Sequence, residues 1–146
     1  MRQRSQTNRV IFHHSLSRDV TVDTIRKWHR AKGWADVGYH YVVRKNGGIE
    51  IGRDLSLVGA HCLGRNHDSV GVCITGDFWK YEPTLSQINA CNRIYHELCQ
   101  IYYKTLGIEF HRPEYHKQAC PGPKMDRADF TECVRRAIPH NQEWPK

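Results

Sequence analysis

The side chains best able to do chemistry gather in one stretch: His111-Arg112-Pro113-Glu114-Tyr115-His116-Lys117-Gln118-Ala119-Cys120-Pro121-Gly122. Imidazoles, an amine and a thiol occur together there, and Pro121-Gly122 is a rigid turn that can aim the thiol. A second imidazole pair, His13-His14, closes the apolar run Val10-Ile11-Phe12 far earlier in the chain. Two imidazoles and one thiolate can hold zinc through three ligands and leave the fourth position open, as catalytic zinc sites do. The spacing is not that of a CxxC pair, so a buried structural cysteine at Cys120 and packed or solvated histidines stand as the alternative. His111 directly follows an apolar run, whereas His116 is nearer to Cys120 but in mid-loop, and residue types alone leave both open.

Such residues need elements to position them. Along a strand, neighbouring side chains face opposite ways, so only one of His13 and His14 can face a given site. Residues 10–13 read as a short buried strand, β-branched and aromatic. A helix follows, capped by Thr21 or Asp19, with Val22, Ile25 and Trp28 at helical spacing and Gly33 at its end. Residues 38–44, the Asn46-Gly47 turn and residues 49–51 make a hairpin. Residues 69–75 form another buried strand. Thr84 and Gln87 make a capping box that opens the longest helix, which runs to about Thr105. Its apolar face holds Leu85, Ile88, Cys91, Tyr95, Leu98 and Tyr102, and Gly107 ends it. Residues 108–110 lead into the His111 loop. A last helix over 126–138 places Phe130, Cys133, Val134 and Ala137 on one side and stops at Pro139. Strands interspersed with helices, with one hairpin, predict a single α/β domain in which helices flank a central mixed β-sheet.

The size and composition agree with that reading. The chain has 146 residues, which suits one domain, and 39% of them are hydrophobic, which excludes disorder throughout. Lys plus Arg is 22 and Asp plus Glu is 15, a net charge of +7, so an anionic partner is in keeping: nucleic acid, a lipid surface or an acidic wall polymer. The basic residues are dispersed and no Arg/Lys run is interleaved with aromatics, so no nucleic-acid partner is expected. No run approaches the roughly 20 apolar residues of a membrane span. The start, MRQRSQTNR, has no apolar core after its charges, so synthesis in the cytoplasm without a signal peptide is expected, with reduced thiols. The six cysteines, at 62, 73, 91, 99, 120 and 133, show no framework spacing. Residues 1–9 are polar and expected to be flexible.

The ordered motifs go further. Residues 28–34 read WHRAKGW and 36–40 read DVGYH; the NGG turn follows, then GRD at 52–54, VGAH at 58–61 and GRNHDSVGVCITG at 64–76. Together with VIFHHS at 10–15 and ACPG at 119–122, this set resembles the type 2 N-acetylmuramoyl-L-alanine amidase family. That family includes the amidase-type lysozymes of T-odd phages and the peptidoglycan recognition proteins. The likeness spans residues 10–138 and is strongest to the small phage enzymes.

The resemblance implies a catalytic domain over 10–146 that binds one Zn2+ and cuts the amide between N-acetylmuramic acid and the L-alanine of the stem peptide. It places the metal ligands at His13, His111 and Cys120 and the catalytic tyrosine at Tyr39. His61, Asn66 and Trp34 match positions lining the family's substrate cleft. One place departs from the pattern. The phage enzymes carry a Lys two residues before the zinc Cys, whereas this chain has Gln118 there and Lys117 one position earlier, in a loop one residue longer. Lys117 is therefore the candidate catalytic amine, with Gln118 as the alternative at that position. The resemblance further implies a monomeric phage or prophage endolysin, reaching periplasmic peptidoglycan after holin-mediated release. Two rival readings accompany it: a non-catalytic peptidoglycan-binding module, and a phage RNA polymerase as partner, to whose binding segment residues 1–9 show no match.

Overall fold

The structure is a computed structural model that describes residues 1–138. Its elements follow in order as β1 (Arg9–His14), α1 (Val22–Ala31), β2 (Tyr41–Val43), β3 (Ile49–Ile51), β4 (Ser69–Ile74), α2 (Leu85–Tyr102), β5 (Gly107–Phe110) and α3 (Arg127–Arg135), with a single 3-10 turn, Asn66–Asp68, entering β4. The five strands form one sheet in the order β3-β2-β4-β1-β5. β1 runs parallel to both β4 and β5, β2 is parallel to β4, and only the β2–β3 hairpin is antiparallel. This is the mixed sheet that the hairpin and the alternating elements predict. The central place of β1 explains its almost uninterrupted apolar run, since a strand covered on both faces has no polar side.

The period-2 alternation of the strands sorts the two cores. Val10 and Phe12 of β1, with Val70, Val72 and Ile74 of β4, pack beneath α2 and α3 against Ala90, Cys91, Ile94, Leu98, Phe130 and Val134. On the other face Val42 and Cys73 meet Val20, Ile25 and Val37 beside α1. The β1–β4 register pairs His13 with Cys73, so His13 emerges on the α1 face and His14 on the α2 face.

Capping is as expected in two places. The Thr21 hydroxyl accepts from the Thr24 amide, and Thr84 and Gln87 close a reciprocal capping box. Asp19, the other cap candidate, is instead paired with Arg44. In α1 the buried partner of Ile25 is His29, four residues on, while Trp28 is 41% exposed. In α2 Leu85 lies outside the apolar face, 71% exposed. That helix ends at Tyr102, before Thr105, because Tyr103 turns left-handed at φ 54°; Gly107, expected to end it, instead opens β5. α3 ends at Arg135 rather than 138. The Asn92 side-chain amide donates to the carbonyls of Cys133, Val134 and Arg136 and takes up the orphan acceptors of that end. Pro139 lies outside the described residues.

Within residues 1–9, expected as a flexible segment, Arg2 to Arg4 lie along the 56–58 loop, and Arg9 already opens β1. The Val58 amide donates to the Arg2 carbonyl and the Arg4 amide to the Ser56 carbonyl. The Arg4 guanidinium donates to the Leu57 carbonyl at 3.0 Å and the Tyr102 hydroxyl at 2.6 Å. All six cysteines are free. Among the described residues no helix is long and apolar enough to cross a membrane.

Candidate metal centre and cleft

Three distant segments meet where β1 ends. His13 is the penultimate residue of β1 and is fully buried. β5 lies parallel beside β1 with Phe12 opposite Phe110, so the next residue along, His111, arrives against His13, their ring centroids 4.7 Å apart. The chain then loops out and returns through a bridge in which the Arg112 amide donates to the Cys120 carbonyl at 2.9 Å. That bridge brings the thiol beside both rings. One nitrogen each from His13 and His111 and the Cys120 sulfur all lie within 4.8 Å of one another; Sγ of Cys120 is 4.0 Å from Nδ1 of His13.

The other two histidines in these motifs are engaged elsewhere. His14 turns to the opposite face, and its Nδ1 accepts the Phe78 amide. His116 accepts the Gln118 amide on its Nδ1 at 2.9 Å and so serves its own loop. The structure thus brings His111, not His116, to the cluster. Cis Pro121 and Gly122 follow the thiol. A Cβ on Gly122 would come within 2.5 Å of backbone atoms of Phe78 and Trp79, so only glycine lets the turn pack there.

Of the cluster, His13 is fully buried, while His111 and Cys120 line a cleft of about 740 Å³. Tyr39 lines it, its ring centroid 5.0 Å from that of His13. Burial, then the nearby Cys73 and Cys120 thiols, hold its hydroxyl well above its ordinary pKa, so it is a donor throughout the physiological range. Lys117 and Gln118 both line the cleft wall. Trp34 lines the far side, 38% exposed, its ring edge-on to His29 at 4.6 Å. His61 and Asn66 border the cleft as well, but their polar atoms are turned into the protein. Both His61 ring nitrogens are bonded, to His13 and to Ser69. The Asn66 carbonyl oxygen accepts the amides of His61 and Cys62. The cleft lining carries Lys32, Arg112 and Lys117 and no carboxylate among the described residues.

Sequence reasoning overlooked His29, Arg65 and Ser69. His29 Nδ1 accepts the Gly38 amide at 2.8 Å, and its ring packs on both Trp34 and Tyr39. The Arg65 guanidinium donates to the Phe110 and His111 carbonyls at 3.2 and 2.8 Å. All three lie inside the quoted motifs, which was the only signal available.

Burial governs the electrostatics. It drives His13 well below the ordinary imidazole range, and His61 and His111 add to the effect. Burial, then Arg112 and Arg65, lowers His111 to about 4. Burial raises the Cys120 thiol to about 11 against the opposing pull of the His14 backbone and Arg112. Neutral imidazoles are ready to donate lone pairs, and the thiol must lose its proton as metal enters. Two imidazoles and one cysteine are the donor set of a catalytic zinc site, and donors within 4.8 Å of one another need only draw in slightly to hold one ion.

The family model for N-acetylmuramoyl-L-alanine amidase matches residues 3–123. The endolysin of Escherichia phage T7 is 45% identical over 134 residues, covering 86% of this chain and 87% of that protein. The endolysin of Enterobacteria phage K11 is 38% identical over 133 residues, with the same coverage of 86% and 87%. Among solved structures, the N-acetylmuramoyl-L-alanine amidase LysC from Clostridium intestinale URNW is similar with a TM-score of 0.79 and 27% identity, over 86% of this chain and 83% of that one. The matched span takes in the docked N-terminal segment, Tyr39 and every donor of the cluster, and on that ground the chain belongs to the N-acetylmuramoyl-L-alanine amidase family.

Proposed function

We propose that this protein is a zinc-dependent N-acetylmuramoyl-L-alanine amidase that works as a phage endolysin, with His13, His111 and Cys120 as metal ligands. The observation that carries the reading is the convergence of those three donors, from β1, the end of β5 and the Cys120 turn, beside an open cleft that His111 and Cys120 line. A zinc ion held there supplies Lewis acidity at the scissile carbonyl and lowers the pKa of a water toward about 7.

The chain's own residues do the rest. The buried, protonated Tyr39 hydroxyl donates a hydrogen bond toward the oxygen that gains charge as the amide is attacked. Lys117, on the cleft wall, adds positive charge near that oxygen; Gln118 beside it is the alternative at this position. Trp34, His61 and Asn66 shape the walls between which the muramyl peptide lies. The cationic lining of Lys32, Arg112 and Lys117 suits a stem peptide that bears carboxylates. No carboxylate lines the cleft among the described residues, so no Asp or Glu is assigned as general base.

The substrate on this reading is periplasmic peptidoglycan, reached by holin-mediated release of a monomer. A non-catalytic binding module is the rival, and the retention of Tyr39 beside a full donor set argues against it. The test measures zinc content and release of L-alanine amine termini from peptidoglycan. Wild type is expected to hold one zinc and turn over, while His13→Ala, His111→Ala and Cys120→Ser lose both and His116→Ala keeps its zinc. Zinc retained in His111→Ala but lost in His116→Ala would overturn the ligand assignment. Zinc-loaded wild type that binds peptidoglycan without releasing amine termini would overturn the catalytic reading.

A further inference from the structure

The loop from His61 to Ser69 supplies no donor to the cluster, yet it bonds both histidines that do, one through its ring and one through its backbone. Nε2 of His13 lies 2.8 Å from Nδ1 of His61, and Nε2 of His61 lies 3.1 Å from the Ser69 hydroxyl. That hydroxyl donates its one hydrogen to the Arg65 carbonyl at 2.7 Å, so toward His61 it can only accept. His61 Nε2 therefore carries the proton. His61 is 7% exposed and His13 fully buried, and neither ring is bonded to a carboxylate among the described residues, so each is neutral with one proton. It follows that His61 Nδ1 is a lone pair, that His13 donates to it from Nε2, and that the Nδ1 lone pair of His13 faces the Cys120 sulfur, 4.0 Å away.

We propose that His61 and Ser69 are positioning residues that preset His13 in the tautomer and orientation its ligand role requires, through the relay His13 to His61 to Ser69 to the Arg65 carbonyl. The proposal rests on the zinc-ligand role of His13 argued above. Metal-bound histidines depend on the partner of their other nitrogen for tautomer and ring orientation. Here that partner is a second imidazole rather than a carboxylate, which keeps the relay uncharged in a fully buried place.

The fold makes room for this ring. A Cβ on Gly71, the residue of β4 paired with Ile11 of β1, would meet His61 ring atoms at 2.5 to 2.8 Å. Asn66 holds the His61 amide at 2.9 Å. The same loop anchors the backbone of the second histidine: the Arg65 guanidinium donates to the His111 carbonyl and pairs with Glu109 at 2.7 Å.

The test compares wild type, Ser69→Ala, His61→Gln and His61→Leu by zinc affinity, in competition with a chromophoric chelator, and by nitrogen NMR of the His13 ring in zinc-free protein. His61→Gln keeps an acceptor for the His13 Nε2 proton; His61→Leu fills similar space without one. Zinc binding is expected to weaken roughly 10- to 100-fold in His61→Leu and Ser69→Ala and to be largely retained in His61→Gln. His13 is expected to carry its proton on Nε2 in wild type and to gain the Nδ1-protonated form in His61→Leu. A packing role alone would make Gln and Leu equivalent, and that result, or equal affinity in all four proteins, overturns the relay while leaving the zinc site standing. Wild type that binds no zinc would overturn the metal reading itself, and the relay with it.

Discussion

Nδ1 of His14 lies 3.0 Å from the backbone nitrogen of Phe78, and the same atom lies 3.4 Å from that of Gly122. One buried lone pair thus joins the end of β1 to two loops, the second of which carries Cys120. The pleat of β1 divides its last two residues accordingly: His13 faces the donor cluster, and His14 fastens the turn that brings the thiol to it.

Removing that fastening leaves two amides without their acceptor. His14→Ala is expected to cost about 1–3 kcal/mol in urea unfolding of the zinc-free protein and to weaken zinc binding, because the Cys120 turn loses its anchor. An unchanged unfolding midpoint together with unchanged zinc affinity would contradict the role given to His14.

The cleft residues separate binding from chemistry. Tyr39→Phe removes only a hydroxyl beside the Cys73 and Cys120 thiols. Zinc content should stay at the wild-type level while kcat falls by about 100-fold, the scale of losing one oxyanion donor. Lys117→Ala is expected to lower kcat more than Gln118→Ala, with steady-state release of amine termini as the readout. The reverse ranking would assign the auxiliary position to Gln118.

Metal removal should destabilise the fold, since the three donors join β1, the end of β5 and the Cys120 turn. Free zinc at about 100 times its dissociation constant adds about 2.7 kcal/mol by linkage. Thermal unfolding with and without chelator should show the shift in wild type and in His116→Ala. It should be absent in Cys120→Ser, and a chelator-sensitive melting temperature in that variant would count against the assignment.

A pH effect is expected from a carboxylate that does not line the cleft. Hydrogen bonding from Arg44, Thr75 and the Lys45 amide overcomes burial and holds the Asp19 carboxyl well below the usual carboxylate range. A depressed folded-state pKa stabilises in full above the unfolded value of about 3.9 and loses that contribution as pH falls below it. The pair is part-exposed, at 33% for Asp19 and 24% for Arg44, so solvent screening limits Asp19→Asn to a cost of about 1 kcal/mol at neutral pH. Urea unfolding should show that gap closing as pH drops below about 3.9. A gap independent of pH would contradict it.

Much of this protein is determined by sequence alone, wherever local physics decides. The near-continuous apolar runs before His13 and Thr75 are buried strands, Asn46-Gly47 closes a hairpin, and the Thr84–Gln87 box starts α2, because propensity and capping act over a few residues. The helix ends were less legible: Tyr103 leaves the helix through its own backbone conformation, and the carbonyls at the end of α3 are claimed by Asn92 of a different helix. The motif order pointed to His13, His111 and Cys120. Composition could not choose between His13 and His14, or between His111 and His116. That choice belongs to the tertiary structure. The parallel register of Phe12 with Phe110 delivers His111 to His13, and the bridge of Arg112 to Cys120 delivers the thiol. The inward turn of His61 was likewise invisible in the motif, because it depends on the space above Gly71 and on a hydroxyl at Ser69, placed by a strand pairing that no local pattern encodes.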